Sequence, residues 1–147
     1  MPLLPPPSVV RFEHHAAGVP VLGSGSSEPR LSWWLAEAPE GYRQGAYEVE
    51  IRRNDGSSDV ARVESGEQVL VTWPFAPLPS RERAEVRVRV QAAGAGADDW
   101  SPWSEPGVVE TGLLSPQDWT ARFISPLTLG AVQAPAPVLQ RRLEIPR

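Results

Sequence analysis

Two tryptophans and two arginines have the residue types and the spacing for cation–π stacking. Trp100 and Trp103 belong to the motif Trp-Ser-Pro-Trp-Ser at 100–104. Arg87 and Arg89 are two positions apart, and side chains two apart in a β-strand lie on the same face. A planar guanidinium group stacks on an indole ring with roughly 0.5–2 kcal/mol per contact. We therefore predict that these four side chains alternate on the solvent face of a sheet.

Two glutamates are positioned to neutralise these arginines. Glu48 and Glu50 alternate with the apolar residues of a segment predicted to form a neighbouring strand, and they would point outward with the arginines. Stacking of this kind covers indole surface that would otherwise form an adhesive apolar patch. The predicted role is therefore structural: the stack ties the last strand to the sheet and fixes the direction in which the chain leaves it.

Tryptophans can also serve as sugar platforms, because pyranose rings stack on indole faces. Trp34, Trp73 and Trp119 are the candidates for contact with a sugar. The competing interpretation is packing, with Trp33 in the core and Trp119 at a junction between domains, and we favour it for six tryptophans in one small domain. The two interpretations differ in whether the indole faces form an open strip or are covered by arginines.

Catalytic and metal-binding arrangements are not recognisable in the sequence. Hydrolysis of a glycoside needs two carboxylates that face each other across a cleft, whereas the adjacent pair Asp98 and Asp99 lies in a loop rich in Gly and Ala. His14 and His15 have no third ligand at a metal-binding spacing. We predict no catalytic residue, no metal site and no cofactor, and we interpret the two aspartates as part of a solvated loop.

Charge and hydropathy exclude two classes of partner. The formal net charge is −4, so nucleic acid has no electrostatic reason to bind. A run of eighteen apolar residues is absent, so we predict no membrane span. Residues 1–7 lack the charged and apolar regions of a signal peptide, which favours a cytoplasmic location and leaves secretion as the alternative.

Short alternating segments predict an all-β fold. The clearest is 84–90, where Ala84 and three valines form one face and charged residues form the other. Asn54-Asp55-Gly56 is a strong turn signal, and 18–27 is interpreted as a turn-rich connection. Seven strands are predicted, at 9–12, 30–35, 47–52, 59–63, 69–73, 84–90 and 107–111. Seven short strands separated by turns are typical of a fibronectin type III or immunoglobulin-like β-sandwich.

The residues after the predicted sandwich form a C-terminal extension. Ser115, followed by Pro116 and Asp118, predicts a single helical turn with Ser115 as its cap. Residues 138–145 alternate like a strand, but too little chain follows for that strand to pair within a second domain. We therefore expect a fragment that ends on the first strand of a following domain.

Five segments together resemble the N-terminal module of bacterial α-L-rhamnosidases of glycoside hydrolase family 78. They are PRLSWWL at 29–35, YEVEI at 47–51, LPSRERAEVRVRV at 78–90, SPWSEP at 101–106 and ETGLLSPQDWTARFI at 110–124. The resemblance spans about residues 9–145, and its most specific part is 101–124. It implies a sandwich followed by a second β-domain, with the catalytic carboxylates in a helical barrel domain beyond residue 147.

Pattern and resemblance together divide the chain and suggest its function. The divisions are a Pro-rich arm at 1–7, a sandwich at 8–112, a connector at 113–136 and the first strand of a following β-domain at 137–147. The implied function is a non-catalytic module that docks on the downstream domains of the same polypeptide, in an enzyme that removes terminal α-L-rhamnose. The alternative is a carbohydrate-binding module that presents tryptophans to a rhamnose-containing glycan.

Overall fold

Seven strands in two sheets make up the part of the fold that the structure describes. The structure is a computed structural model that describes residues 4–126 and 135–144. The strands are β1 Arg11–Phe12, β2 Val21–Ser24, β3 Leu31–Ser32, β4 Gln44–Arg53, β5 Ser58–Val63, β6 Arg83–Ala92 and β7 Gly107–Thr111. β1 pairs with β3, and the second sheet has the order β2-β7-β6-β4-β5. The predicted all-β, immunoglobulin-like sandwich is confirmed.

β4 and β6 form the centre of the larger sheet. They pair antiparallel from Gln44↔Ala92 to Arg53↔Ala84. Their inward side chains are buried because each strand alternates apolar and polar residues with a period of two; these side chains are Tyr47, Val49, Ile51, Val86, Val88 and Val90. The predicted turn joins β4 to β5: Gly56 has a φ of 83°, and the Ser57 N–H donates to Asp55 Oδ1 at 2.8 Å.

Trp33 lies in the core between the sheets, as the sequence predicted. Its ring centroid is 4.8 Å from that of Tyr47, in an edge arrangement at 62°. Its Nε1 donates to Gln44 Oε1 at 3.2 Å. Gln44 Nε2 in turn donates to the carbonyls of Ser65 and Glu67, at 3.0 and 2.9 Å. The side-chain amide of Gln44 is therefore hydrogen-bonded on both sides, and it ties β4 to the segment that follows β5.

The strand predicted at 69–73 was wrong in extent. Only Val71 is bonded in ladder fashion: its N–H donates to the Leu31 carbonyl at 2.9 Å and its carbonyl accepts from the Leu31 N–H at 3.0 Å. Leu70 has a φ of 50°, which interrupts extended backbone. Val69 is 74% exposed, whereas Val71 and Trp73 are buried.

β2 was missed, because its glycine and the serines that follow were interpreted as a turn. Val21 lies opposite Val109 and Ser24 opposite Thr111, in a parallel pairing with a shift of register between them. Gly23, with a φ of 74°, absorbs that irregularity. β2 is thus an edge strand beside β7, and the predicted number of seven strands holds with a different membership.

The helical turn predicted after the sandwich is present as a 3₁₀ turn at Pro116–Asp118. Residues 119–126 and 135–144 have no regular secondary structure. The strand predicted at 138–145 is therefore not formed over 138–144, and its assignment to a following domain stays a prediction. Residues 1–3 of the arm, 127–134 of the connector and 145–147 lie outside the described residues. Among the described residues, no helix is long and apolar enough to cross a membrane.

Candidate functional site

Guanidinium groups and indole rings alternate on the outer face of the larger sheet. Arg87 Cζ lies 4.8 Å from the ring centroid of Trp103, and Arg89 Cζ lies 4.7 Å from the same centroid. Arg89 Cζ is also 5.1 Å from the ring centroid of Trp100. The structure therefore brings together all four residues that the sequence singled out, with Arg89 shared between the two rings.

A fifth member of the series, Arg62 on the edge strand β5, was missed by sequence reasoning. Its Cζ lies 5.1 Å from the ring centroid of Trp100. The order of contacts is Arg87, Trp103, Arg89, Trp100 and Arg62, which we call the Arg–Trp stack. Only the order of strands in the sheet reveals Arg62, because it is distant in sequence from the other four members.

Two carboxylates of β4 neutralise the central arginines. Glu48 lies directly opposite Arg89 and Glu50 directly opposite Arg87 in the β4–β6 register. Arg89 Nε donates to Glu48 Oε2 at 2.7 Å, and Arg87 Nε donates to Glu50 Oε2. The glutamate side chains are largely covered and the arginine side chains are partly covered. Charge-assisted bonds of this kind fix the guanidinium planes against the rings.

Ser101 and Ser104 attach the tryptophan segment to β6, a role that sequence reasoning did not assign. The Ser101 N–H donates to the Val90 carbonyl at 2.8 Å, and Ser101 Oγ accepts from the Val90 N–H at 3.0 Å. Ser104 makes the same pair of bonds with Val88, at 2.8 and 3.0 Å. The serine after each tryptophan thus donates to β6 through its backbone N–H and accepts from β6 through its hydroxyl oxygen. The signal was in the motif, which repeats Trp-Ser every three residues.

The comparison with known families identifies the domain that carries this motif. The sequence profile described as "Rha78A-like, N-terminal immunoglobulin domain" matches residues 7–115. The chain belongs to this family of Rha78A-like domains. The resemblance on which the sequence analysis relied is confirmed.

Several proteins similar to this Rha78A-like domain are α-L-rhamnosidases. It is 38% identical over 125 residues to that of Streptomyces avermitilis, a match that covers 81% of the chain and 11% of the relative. The Streptomyces avermitilis structure, complexed with L-rhamnose, matches with a TM-score of 0.70 and 33% identity over 82% of this chain and 12% of that one. The structure of the native Aspergillus terreus enzyme matches with a TM-score of 0.69 and 43% identity, over 78% of this chain and 13% of that one. The Rha78A-like domain thus corresponds to the N-terminal part of much longer glycoside hydrolases.

The three tryptophans considered as sugar contacts occupy different environments. Trp73 is only 4% exposed, and its Nε1 donates to the Ala76 carbonyl at 3.2 Å. Its ring packs edge-on against Phe75 with a centroid distance of 5.5 Å. Offering Trp73 as a sugar contact was therefore wrong, because the core covers its faces. Trp34 and Trp119 are exposed and are the two that could meet a ligand.

The acidic and histidine pairs lie on the surface of the Rha78A-like domain. His14 and His15 are exposed, and among the described residues no three His, Cys, Asp or Glu side chains are grouped as metal ligands would be. Asp99 lines a cavity of about 380 Å³ beside Trp100 and Tyr42. Its Oδ2 accepts from the Gly96 N–H at 2.9 Å, which gives this carboxylate a role in shaping the loop. Burial raises the pKa of the Tyr42 hydroxyl.

A hydrogen-bonded cluster holds the chain where it leaves β7. Ser80 Oγ donates to Asp118 Oδ2 and accepts from the Leu114 N–H at 2.9 Å. Asp118 Oδ2 also accepts from the Ser115 N–H at 3.0 Å. Arg81 donates through its N–H to the Gly112 carbonyl at 3.1 Å and through Nη2 to the Asp118 carbonyl at 3.2 Å. We call this cluster the exit clasp; its members are Ser80, Arg81, Gly112, Leu114, Ser115 and Asp118.

Asp118 is the electrostatic centre of the exit clasp. The Ser80 hydroxyl bond holds the pKa of the Asp118 carboxyl below its ordinary value, and the Ser115 N–H and the positive charge of Arg81 act in the same direction. Partial desolvation opposes them. The ionised carboxylate therefore stabilises the clasp. Arg81, whose Nη2 donates to the Asp118 carbonyl, has a φ of 62°.

Proposed function

We propose that this Rha78A-like domain is a non-catalytic structural module of a larger α-L-rhamnosidase. The observation that carries the proposal is the Arg–Trp stack. Its two indole rings each have two guanidinium groups within 5.1 Å of their centroids, so they are not offered as an open platform for a sugar. A surface organised in this way stiffens the sheet and keeps apolar rings from acting as an adhesive patch.

The carboxylates of the domain also support a structural role. Glu48 and Glu50 are engaged with the arginines of the stack, and Asp99 and Asp118 are engaged with backbone and serine groups. A glycosidase needs one carboxyl with a raised pKa and a second carboxylate facing it across a bound sugar. Among the described residues, the carboxyl groups with a resolved shift have a lowered pKa, which is the wrong direction for a general acid.

The activity test uses the 147-residue chain alone and an aryl α-L-rhamnoside. We expect no release of the aryl group above the rate in buffer. As the control, a complete α-L-rhamnosidase that contains this domain is assayed at the same molar concentration. Turnover by the isolated chain that disappears when a single carboxylate, such as Asp99, is changed to the amide would overturn the proposal.

The carbohydrate-binding alternative rests on the exposed rings of Trp34 and Trp119. It is tested by titrating the isolated chain with L-rhamnose and following the indole N–H resonances by NMR. We expect no saturable shift at either residue. Saturable shifts that vanish in Trp34→Ala or Trp119→Ala, and not in Val69→Ser, would replace the structural proposal with a sugar-binding one.

A further inference from the structure

Four large apolar side chains are exposed in the fourteen residues that follow Thr111. They are Leu113, Trp119, Phe123 and Ile124, and we call them the exit surface. Phe123 is completely exposed, Ile124 is 74% exposed, and the segment 119–126 makes no strand pairing. These four side chains are exposed, whereas the rings of the Arg–Trp stack are covered by guanidinium groups. Four exposed large apolar side chains so close together in sequence are candidates for an interaction site.

The exit surface is low in charge. Arg122 is the one charged side chain between Trp119 and Pro126. The centres of protein interfaces are likewise depleted of charged residues and enriched in aromatic ones, because burying an unpaired charge is costly. The composition of 119–126 therefore fits a surface that becomes buried against another apolar surface.

The exit clasp fixes the base from which the exit surface starts. Ser80 and Arg81 lie in the turn before β6, and they bond to Leu114, Gly112 and Asp118 on the exit segment. The first residues after β7 are thus held to the sandwich by side-chain and backbone bonds. Ordering the start of the segment before docking reduces the entropy that docking must overcome.

We propose that the exit surface docks against an apolar face of the domain that follows this one in the larger α-L-rhamnosidase. The inference rests on the proposed function. Two observations point to this occupant: the family profile ends at residue 115, just before Trp119, and the chain covers only 11–13% of the length of its relatives. In an α-L-rhamnosidase of that length the following domain is covalently joined to the exit surface, which gives it a high effective concentration there.

The direct test is hydroxyl-radical footprinting of the isolated chain and of the complete enzyme. We expect the oxidation rates of Phe123 and Trp119 to fall by about tenfold in the complete enzyme, because an interface core excludes water. Trp34 is the internal reference, since it is 46% exposed against 59% for Trp119 and lies outside the exit surface. Equal oxidation of Phe123 and Trp119 in the two proteins would overturn the docking proposal.

Two other occupants give different results in the isolated chain. Protection of Phe123 that grows with protein concentration would assign the exit surface to a second copy and overturn the proposal. Protection of Trp119 on addition of L-rhamnose would assign it to a sugar, with the same consequence. If Phe123 is equally oxidised while the isolated chain has no turnover, the docking inference fails and the structural role stands.

Substitution gives an independent measurement in the complete enzyme. Ile124→Ser should lower the temperature at which this domain unfolds, and Val69→Ser should not, although both side chains are 74% exposed in the isolated chain. Differential scanning calorimetry should then resolve the domain as a separate transition in the Ile124 variant. Equal melting curves for the two variants would contradict docking at Ile124.

Discussion

Glu48 and Arg89 face each other across the β4–β6 ladder: Glu48 Oε2 accepts a hydrogen bond from Arg89 Nε at 2.7 Å and lies 2.6 Å from Nη2 of the same guanidinium group. The pair is set by register alone, because both residues are outward-facing members of strands with a period of two. A slip of β6 by one residue would turn Arg89 inward and leave Glu48 without its partner. The pair therefore reports on the alignment of the two central strands.

Removing the shared arginine should destabilise the domain more than removing the one at the edge. Arg89→Met keeps the aliphatic stem but loses the contacts with both rings and leaves Glu48 without its partner, which should cost about 1–3 kcal/mol. Arg62→Met loses one ring contact and an exposed ion pair with Glu64 on the edge strand, and it should cost about 0–1 kcal/mol. Urea denaturation of the two variants measures the difference. Equal midpoints would mean that the stack contributes nothing beyond surface charge.

The serines of the tryptophan motif should matter as much as the rings. Ser101→Ala and Ser104→Ala remove the acceptors for the buried N–H groups of Val90 and Val88, at about 1–3 kcal/mol each. Amide hydrogen exchange should accelerate at those two valines. Ser58→Ala, at an exposed position on β5, is the matched control and should change neither stability nor exchange. If the exchange rate of the Val88 amide is unchanged in Ser104→Ala, the pair of hydrogen bonds between Ser104 and Val88 is contradicted.

Trp33 and Trp34 are neighbours in sequence with opposite burial, so they form a matched pair of substitutions. Trp33→Ala should cost about 3–5 kcal/mol, because it opens a cavity between the sheets and leaves Gln44 Oε1 without its donor. Trp34→Ala should cost less than about 1 kcal/mol. Thermal unfolding followed by circular dichroism compares them. A folded Trp33 variant with an unchanged melting temperature would contradict its place in the core.

The exit clasp should open in acid. The pKa of Asp118 is lowered in the folded protein, chiefly by the Ser80 hydroxyl, so its contribution is fully present above the ordinary carboxyl pKa and is lost as pH falls through the lower folded value. The amide resonances of Leu114 and Ser115 should therefore shift together below pH 4. In Asp118→Asn the shift should be absent. A transition centred above the ordinary aspartate pKa would contradict the conclusion that the ionised Asp118 carboxylate stabilises the clasp.

The parts of the fold that followed from sequence are those governed by strand alternation. The faces of β4 and β6, the turn at 54–56 and the pairing of Glu48 and Glu50 with the arginines needed only local pattern. The error at 69–73 came from Leu70, which has a φ of 50° and whose N–H donates to Ser32 Oγ at 2.8 Å. A positive φ at leucine has no signature in sequence, because its intrinsic preference opposes it.

The candidate site was likewise predictable only in part. The motif at 100–104 and the outward arginines of β6 identified four members of the stack, whereas Arg62 required the order of strands. The exit clasp was missed because Ser80 and Asp118 are thirty-eight positions apart. Ser80 looked like an ordinary turn residue, and Asp118 was noted only within its own helical turn. Tertiary hydrogen bonds between two polar loops leave no periodic trace.

The parallel pairing of β2 with β7 also determines how the domain responds to tension. A pull applied between the residues before β2 and those after β7 draws the two strands past each other along their length. Their ladder bonds are then loaded together in shear, and β6 holds β7 on its other edge. Two strands separate at a lower force when their hydrogen bonds break one after another from one end, and a pull in this direction does not load the bonds in that order. The domain should therefore transmit force along the polypeptide while it remains folded, as a mechanical coupling between whatever precedes it and whatever follows.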